Sequence, residues 1–220
     1  MRHLRWLMAL ALLATAGVVP LRAQIHDWQY QWFWGAKAGV TSMELPSSGT
    51  VFSPAFGGEW MITARRTALY LSYSLTPTAQ ADSFSNFTGV SSRVPIAFDG
   101  MGRIQIAVLV LPFDGKVQPY LGGGFVLETL SNAGLPAGTA LASADAAIVT
   151  RDLPGKSSGG FALLMGGVQL RMGKAAFFGQ VQVSPQGRAF LLSGSSVSLE
   201  FGLRYAMTGA REDDDITSRR

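Results

Sequence analysis

The sequence predicts an all-β fold: a closed, antiparallel, up-and-down, eight-stranded transmembrane β-barrel with its apolar face outward. Three observations predict it. Apolar and polar residues alternate at period 2 in eight segments between Trp28 and Met207, as expected of strands whose successive side chains point to opposite faces. The links between segments are short and long in alternation. The 220-residue chain is also only 15% charged with a mean hydropathy of +0.23, where a soluble domain is roughly 25% charged. After the N-terminal segment no apolar, uncharged run reaches the roughly 18 residues of a spanning helix. A closed barrel is the other way to pair every backbone group in hydrocarbon.

The first segment has the anatomy of a secretory signal. Arg2, His3 and Arg5 precede an uncharged apolar run from Trp6 to Val19, and Pro20-Leu21-Arg22-Ala23 supplies a small residue for cleavage. The run is short for a spanning helix. The expected organisation is therefore a signal peptide over 1–23, a barrel over 24–207 and a polar periplasmic tail over 208–220. Without Arg2, Arg5 and Arg22, the 18 basic residues become 15, against 14 acidic ones. Such a balanced chain offers no electrostatic footprint for nucleic acid. There is no cysteine, which excludes disulfides, thiolate metal sites and a lipoprotein anchor.

Each strand has one apolar and one polar face. In the first, Trp28, Tyr30, Trp32, Trp34, Ala36, Ala38 and Val40 oppose Gln29, Gln31, Phe33, Gly35, Lys37 and Gly39. The second sets Phe56, Gly58, Trp60 and Ile62 against Glu59 and Met61, and the third sets Leu69, Leu71, Tyr73 and Leu75 against Tyr70, Ser72 and Ser74. In the fourth, Val94, Ile96, Phe98, Ile104, Ile106, Val108 and Val110 oppose Arg93, Asp99, Arg103 and Gln105. The fifth sets Val117, Leu121, Phe125 and Leu127 against Gln118, Tyr120 and Glu128. The sixth, Gly160 to Met172, is apolar on both faces until Gln169 and Arg171. The seventh sets Phe177, Val181 and Val183 against Gln180, Gln182 and Ser184, and the eighth sets Val197, Leu199, Phe201, Leu203 and Tyr205 against Ser198, Glu200, Gly202 and Arg204.

Short turns are expected at Ala64–Thr67, at Phe113–Lys116 with its Asp-Gly pair, and at Gly173-Lys174. Long loops are expected over 45–53, 76–92, 131–158 and 185–196, with a short helix in the Ala-rich stretch Ala137 to Val149. Turns at one end and loops at the other fit periplasmic turns and extracellular loops.

A soluble ligand-binding barrel of the lipocalin kind would show the same alternation with the polar face outward. The polar faces here are poor in charge, which favours the inverted arrangement. Trp28, Tyr30, Trp32, Trp34, Trp60 and Tyr205 then form an interfacial aromatic belt against outer-membrane lipid. The enclosed face carries Lys37, Arg103, Arg171 and Arg204 with Glu59, Asp99, Glu128 and Glu200. Four charges of each sign in a narrow interior are expected to pair, because an unpaired buried charge costs several kcal/mol. Strand eight closes on strand one, which makes Glu200 a neighbour of Lys37, with Glu59 on its other side. Gly35, Gly39, Gly57, Gly122, Gly124, Gly167 and Gly202 leave room for Tyr70, Tyr120 and the charged side chains, in a lumen filled by side chains.

The segments Trp34-Gly35-Ala36-Lys37-Ala38-Gly39-Val40, Pro119-Tyr120-Leu121-Gly122-Gly123-Gly124-Phe125 and Leu199-Glu200-Phe201-Gly202-Leu203-Arg204-Tyr205 resemble the small eight-stranded outer-membrane β-barrel superfamily. Its members include the opacity proteins, the OmpA transmembrane domain, OmpX and OmpW. The resemblance covers nearly the whole chain after the signal and implies the bacterial outer membrane as location. It also implies the outer-membrane assembly machinery as a partner during biogenesis. Members usually end on an aromatic residue, whereas thirteen residues follow Met207 here. Tyr205 or Phe201 is then expected to serve in an internal assembly signal.

Catalysis is not expected. Barrel hydrolases of this membrane pair a serine with an imidazole, and the histidines here are His3, in the signal, and His26, ahead of the first strand. Asp213-Asp214-Asp215 reads as a solvated tail and not a metal site, and Lys156-Ser157-Ser158-Gly159-Gly160 lacks phosphate-loop spacing. No cofactor is expected. The remaining functions are a structural role, an interaction carried by the long loops with an extracellular partner left open, or passive transport of small or apolar compounds, as the likeness to OmpW implies. A soluble lipocalin-like binder is the alternative outside the membrane.

Overall fold

Period-2 alternation becomes a continuous wall in the computed structural model, which describes residues 30–90, 92–187, 189–192 and 194–207. The expected signal peptide over 1–23, His26, Trp28 and the expected tail from Thr208 lie outside the described residues. The strands are β1 (Tyr30–Leu45), β2 (Gly49–Ala64), β3 (Thr67–Phe84), β4 (Val94–Val110), β5 (Val117–Ser131), β6 (Ser158–Met172), β7 (Ala175–Gln186) and β8 (Gly194–Ala206), and helix α1 (Ser143–Lys156) lies between β5 and β6. Each strand pairs antiparallel with the next, and β8 returns to β1 from Phe33↔Ala206 to Ser42↔Val197. Closure leaves no free edge.

The wall is apolar outside. Phe201, Leu203 and Ile106 are 58%, 43% and 52% exposed, whereas Glu200, Arg204 and Arg103 are at most 1% exposed. That is the reverse of a lipocalin-like barrel, and it decides between the two arrangements. The outward apolar row runs from Tyr30 to Val40 on β1, from Val110 to Ile104 on β4 and from Val117 to Leu127 on β5. Its height is about the 9–11 tilted residues that a membrane strand needs.

Several strands continue beyond this band toward the long-loop end. The expected loop 45–53 shrinks to Pro46–Ser48, a tight hairpin with Gly49 at φ 73°. Asp82 on the extended β3 holds it, accepting the amides of Ser47 at 3.0 Å and Ser48 at 3.1 Å. The expected loop 76–92 likewise gives way to strand as far as Phe84. Helix α1 begins at Ser143, later than the Ala-rich stretch suggests, because Gly138 at φ 82° and a turn closed by Thr139 N on Pro136 O intervene.

β4 departs from simple alternation. Its register with β3 shifts between Pro77 and Gln80, opposite Gly100 and Phe98. A proline cannot donate to the ladder and marks such irregularities. Above the shift the inward residues change parity: Val94, Ile96 and Phe98 are buried, and Asp99 is exposed. The first three were expected to face lipid; instead they point inward and help close the mouth.

Candidate functional site

The polar faces of all eight strands meet in the lumen, which is built in layers. Near the turn end, Phe33, Met61, Leu109, Leu111 and Met165 form an apolar floor with Tyr70 and Tyr120. Above it lie the charges. At the long-loop end Met43, Leu45, Phe84, Ile96, Phe98, Met101, Leu130 and the loop residues Phe190, Leu191 and Leu192 form an apolar cap. Val149 and Leu153 of α1 pack into that cap. The loop ends are stitched by Leu191 N donating to Lys156 O at 2.9 Å and Leu130 N to Ser157 O at 2.8 Å.

Six of the eight expected lumen charges are buried and form three ion pairs. Lys37 Nζ lies 2.8 Å from Glu200 Oε2, and Arg103 Nε lies 3.1 Å from Glu128 Oε1. Arg204 Nε donates to Glu59 Oε1. Strand closure makes the first pair, since Gly39 stands opposite Glu200 across the β1–β8 seam. Glu59 serves Arg204 and not Lys37, and also accepts from Tyr70 OH at 3.1 Å.

The pairs are embedded in amides and hydroxyls. Glu200 Oε2 accepts from Gln180 at 2.8 Å and Gln182 at 2.9 Å as well as from Lys37. The ammonium of Lys37 also reaches Tyr70, Ser72 and Gln105 at 3.2–3.3 Å. Arg204 donates to Gln169 Oε1 at 2.9 Å, and its guanidinium lies 3.9 Å from the Phe178 ring centroid. Gly202 makes this stack possible: a Cβ there would come within 2.5 Å of the Phe178 ring. Gly167 does the same for Tyr120, whose ring would lie 2.7 Å from an added Cβ.

Two expected members do not join. Asp99 points away from the lumen because of the β4 parity change, and it accepts from Asn132 Nδ2 at 2.8 Å. Arg171 sits half-buried at the turn end, bonded to Gln31 Oε1 and 5.7 Å from the Phe33 ring centroid, with no carboxylate among its described partners. A tally of charges also misses the glutamines. Gln105, Gln169, Gln180 and Gln182 are as buried as the ions they bridge, and their inward parity was the signal that marks them.

On the outer wall Tyr30, Trp34 and Tyr205 are about half exposed, and Trp32 is 43% exposed. Trp60 is half-buried between Trp32 and Trp34, at centroid distances of 5.4 and 6.3 Å. These rings lie together on β8, β1 and β2, toward the turn end. At the opposite end, a groove of ≈ 530 Å³ runs between Asn132–Leu135 and the α1 residues Val149, Thr150, Leu153 and Pro154.

No protein-family model matches the chain, and no curated protein sequence does. Solved structures do match. Neisserial surface protein A from Neisseria is 13% identical over 79% of this chain and 96% of its own, with a TM-score of 0.55. The outer membrane protein OprG from Pseudomonas aeruginosa is 15% identical over 84% of this chain and 98% of its own, with a TM-score of 0.50. At such identities the likeness speaks for architecture, and it agrees with strand number, closure and outward polarity. The chain has the fold of the small eight-stranded outer-membrane β-barrels.

Proposed function

We propose that the protein is an integral, non-enzymatic barrel of the bacterial outer membrane, closed to ions, that acts through its long-loop end. The observation that carries this reading is the double seal of the lumen: three neutralised ion pairs beneath an apolar cap. A conducting pore of this size needs a hydrated polar path, and both layers oppose one. The surface offered to partners is then the rim, where α1 and Asn132–Leu135 border the ≈ 530 Å³ groove. Loops on a rigid scaffold commonly carry recognition. Outer-membrane lipid surrounds the wall, with the aromatic rings at the turn-end interface, and the assembly machinery inserts the barrel.

Membrane fractionation and an unheated detergent gel test the location. A heat-modifiable band in the outer-membrane fraction is expected, and a soluble periplasmic product would end the proposal. Planar-bilayer recordings test closure. Silence is expected, whereas steady openings altered by Glu200→Gln would transfer the reading to passive transport.

A further inference from the structure

The β4–β5 ladder does not stop where β5 does. Its last strand pair is Gly100↔Ser131, and three residues further along each chain Ala97 pairs with Gly134 in the same antiparallel register. Both bonds of that pair are made: Gly134 N donates to Ala97 O at 2.9 Å, and Ala97 N donates to Gly134 O at 2.8 Å. Pro136 favours the extended form of this segment, because the residue before a proline, here Leu135, is pushed away from helical backbone. On its other side the extension has no strand beside it. β5 and β6 pair as far as Thr129↔Ser158, and Leu130 N donating to Ser157 O at 2.8 Å closes that ladder. Where a longer β6 would run, the chain is coiled into α1 instead.

Successive residues of an extended chain aim their main-chain groups at opposite edges. Gly134 turns its amide and carbonyl to β4, so those of Ala133 and Leu135 face the α1 side. Neither residue makes a main-chain hydrogen bond among the described residues, while their side chains pack against the apolar cap. Between this free edge and α1 lies the ≈ 530 Å³ groove, whose far wall is Val149, Thr150, Leu153 and Pro154. Pro154 adds an acceptor there. A proline has no N–H, so the Thr150 carbonyl four residues earlier lacks its helical donor. No charged side chain lines the groove among the described residues.

We propose that this groove binds an extended, uncharged peptide segment of a partner polypeptide, added as a short strand along Ala133–Leu135 in the place that a longer β6 would occupy. The site belongs to the rim surface assigned above and rests on that reading. The edge selects a peptide over another apolar ligand. A peptide main chain supplies both donors and acceptors at the spacing that Ala133 and Leu135 present, as in other strand additions to a sheet edge, whereas a fatty chain supplies neither. At a rise of about 3.3 Å per residue, a segment of about four residues spans Asn132 to Leu135. Side chains on its inner face meet Val149 and Leu153. They are uncharged, because the walls hold no counter-ion for a desolvated charge.

The full chain in phosphatidylcholine nanodiscs, titrated with the capped peptide acetyl-Val-Thr-Val-Thr-Val-Thr-amide and followed by NMR, tests this. Saturable shifts and slower exchange are expected at the Ala133 and Leu135 amides, with none at the Lys174 turn. The same peptide N-methylated at every residue keeps its side chains but not its donors, and should leave those amides unmoved. Leu135→Pro removes one edge donor at a position that already precedes a proline, and should weaken binding at least about tenfold, the ratio expected for one lost good hydrogen bond. Thr150→Trp fills the groove from the exposed side of α1 and should abolish binding. Both variants are first checked for a heat-modifiable band. No saturable shift at Ala133 and Leu135, equal binding of the N-methylated peptide, or unchanged affinity in Leu135→Pro would each overturn the site. So would displacement of the peptide by lauric acid that moves the same amides, which would make the groove a fatty-chain site. Steady channel openings would sink the closed-barrel reading and leave a positive titration standing; a silent barrel that ignores the peptide would sink this site alone.

Discussion

Replacing Lys37 by methionine removes the ammonium and leaves Glu200, with 1% of its surface exposed, beside two amides. Breaking one side of a buried pair costs about 3–5 kcal/mol because the other charge stays uncompensated. Lys37→Met should therefore destabilise the barrel by about that much in urea titrations, and the double variant Lys37→Met with Glu200→Gln should recover most of the loss. Equal losses in single and double variants would show that the pair is not what matters. Asp82 gives a pH prediction. Burial pushes its carboxyl upward, but the amides of Ser47, Ser83 and Ser48 outweigh burial and hold it below the usual carboxylate range. A depressed folded value contributes stability above the unfolded value of about 3.9, and that stability is lost as pH falls through the folded value. Amide protection at Ser47 and Ser48 should accordingly fade as pH drops below about 4, and should be low at every pH in Asp82→Ala.

At the scale of elements, the long β5–β6 connection is a lid with two anchors and not a strand-bearing part of the wall. Val149 and Leu153 are its buried contacts, and no other residue of α1 is buried. Leu153→Ala should cost about 2 kcal/mol, the low end for a core leucine, since little cavity can form beside a partly open groove. Replacing residues 137–154 by a short flexible linker should still give a heat-modifiable barrel, because β5 and β6 pair from Val117↔Leu170 to Thr129↔Ser158 without it. Failure to fold would assign α1 a part in barrel formation. β4 teaches a different lesson. Its upper half reads in the sequence as a lipid-facing run, yet the register shift near Pro77 turns Val94, Ile96 and Phe98 into the mouth.

For the whole molecule, closure is the property with the widest consequences. Amide exchange along the β1–β8 seam, from Phe33 to Ser42, should be as slow as in the other strands of the outward apolar band, since β1 is paired on both sides over that span. Markedly faster exchange at the seam would mean an open sheet. Much of this architecture was legible beforehand. Strand number, the short turns at Arg65-Arg66 and Gly173-Lys174, and the inward placement of Lys37, Glu59, Arg103, Glu128, Glu200 and Arg204 all follow from period 2 and from closure. Period is a local property, so eight short windows suffice to read it.

What only the tertiary structure decided is everything that depends on distance across the lumen. Parity put Glu59, Glu128 and Glu200 on the same face as Lys37, Arg103, Arg171 and Arg204, but which carboxylate met which cation depended on stagger around the barrel and on side-chain reach. That gave Glu59 to Arg204 and left Arg171 to Gln31. A one-residue register shift moved Asp99 outside, since a single slip exchanges the two faces of a strand. The cap was invisible for the same reason: Met43, Phe84, Phe98 and Phe190 are far apart in sequence and become one cluster only when the wall closes. The alternation of greasy and polar residues determined a barrel, the scarcity of charge on its polar faces pointed to its polarity, and long-range packing determined that its mouth is shut.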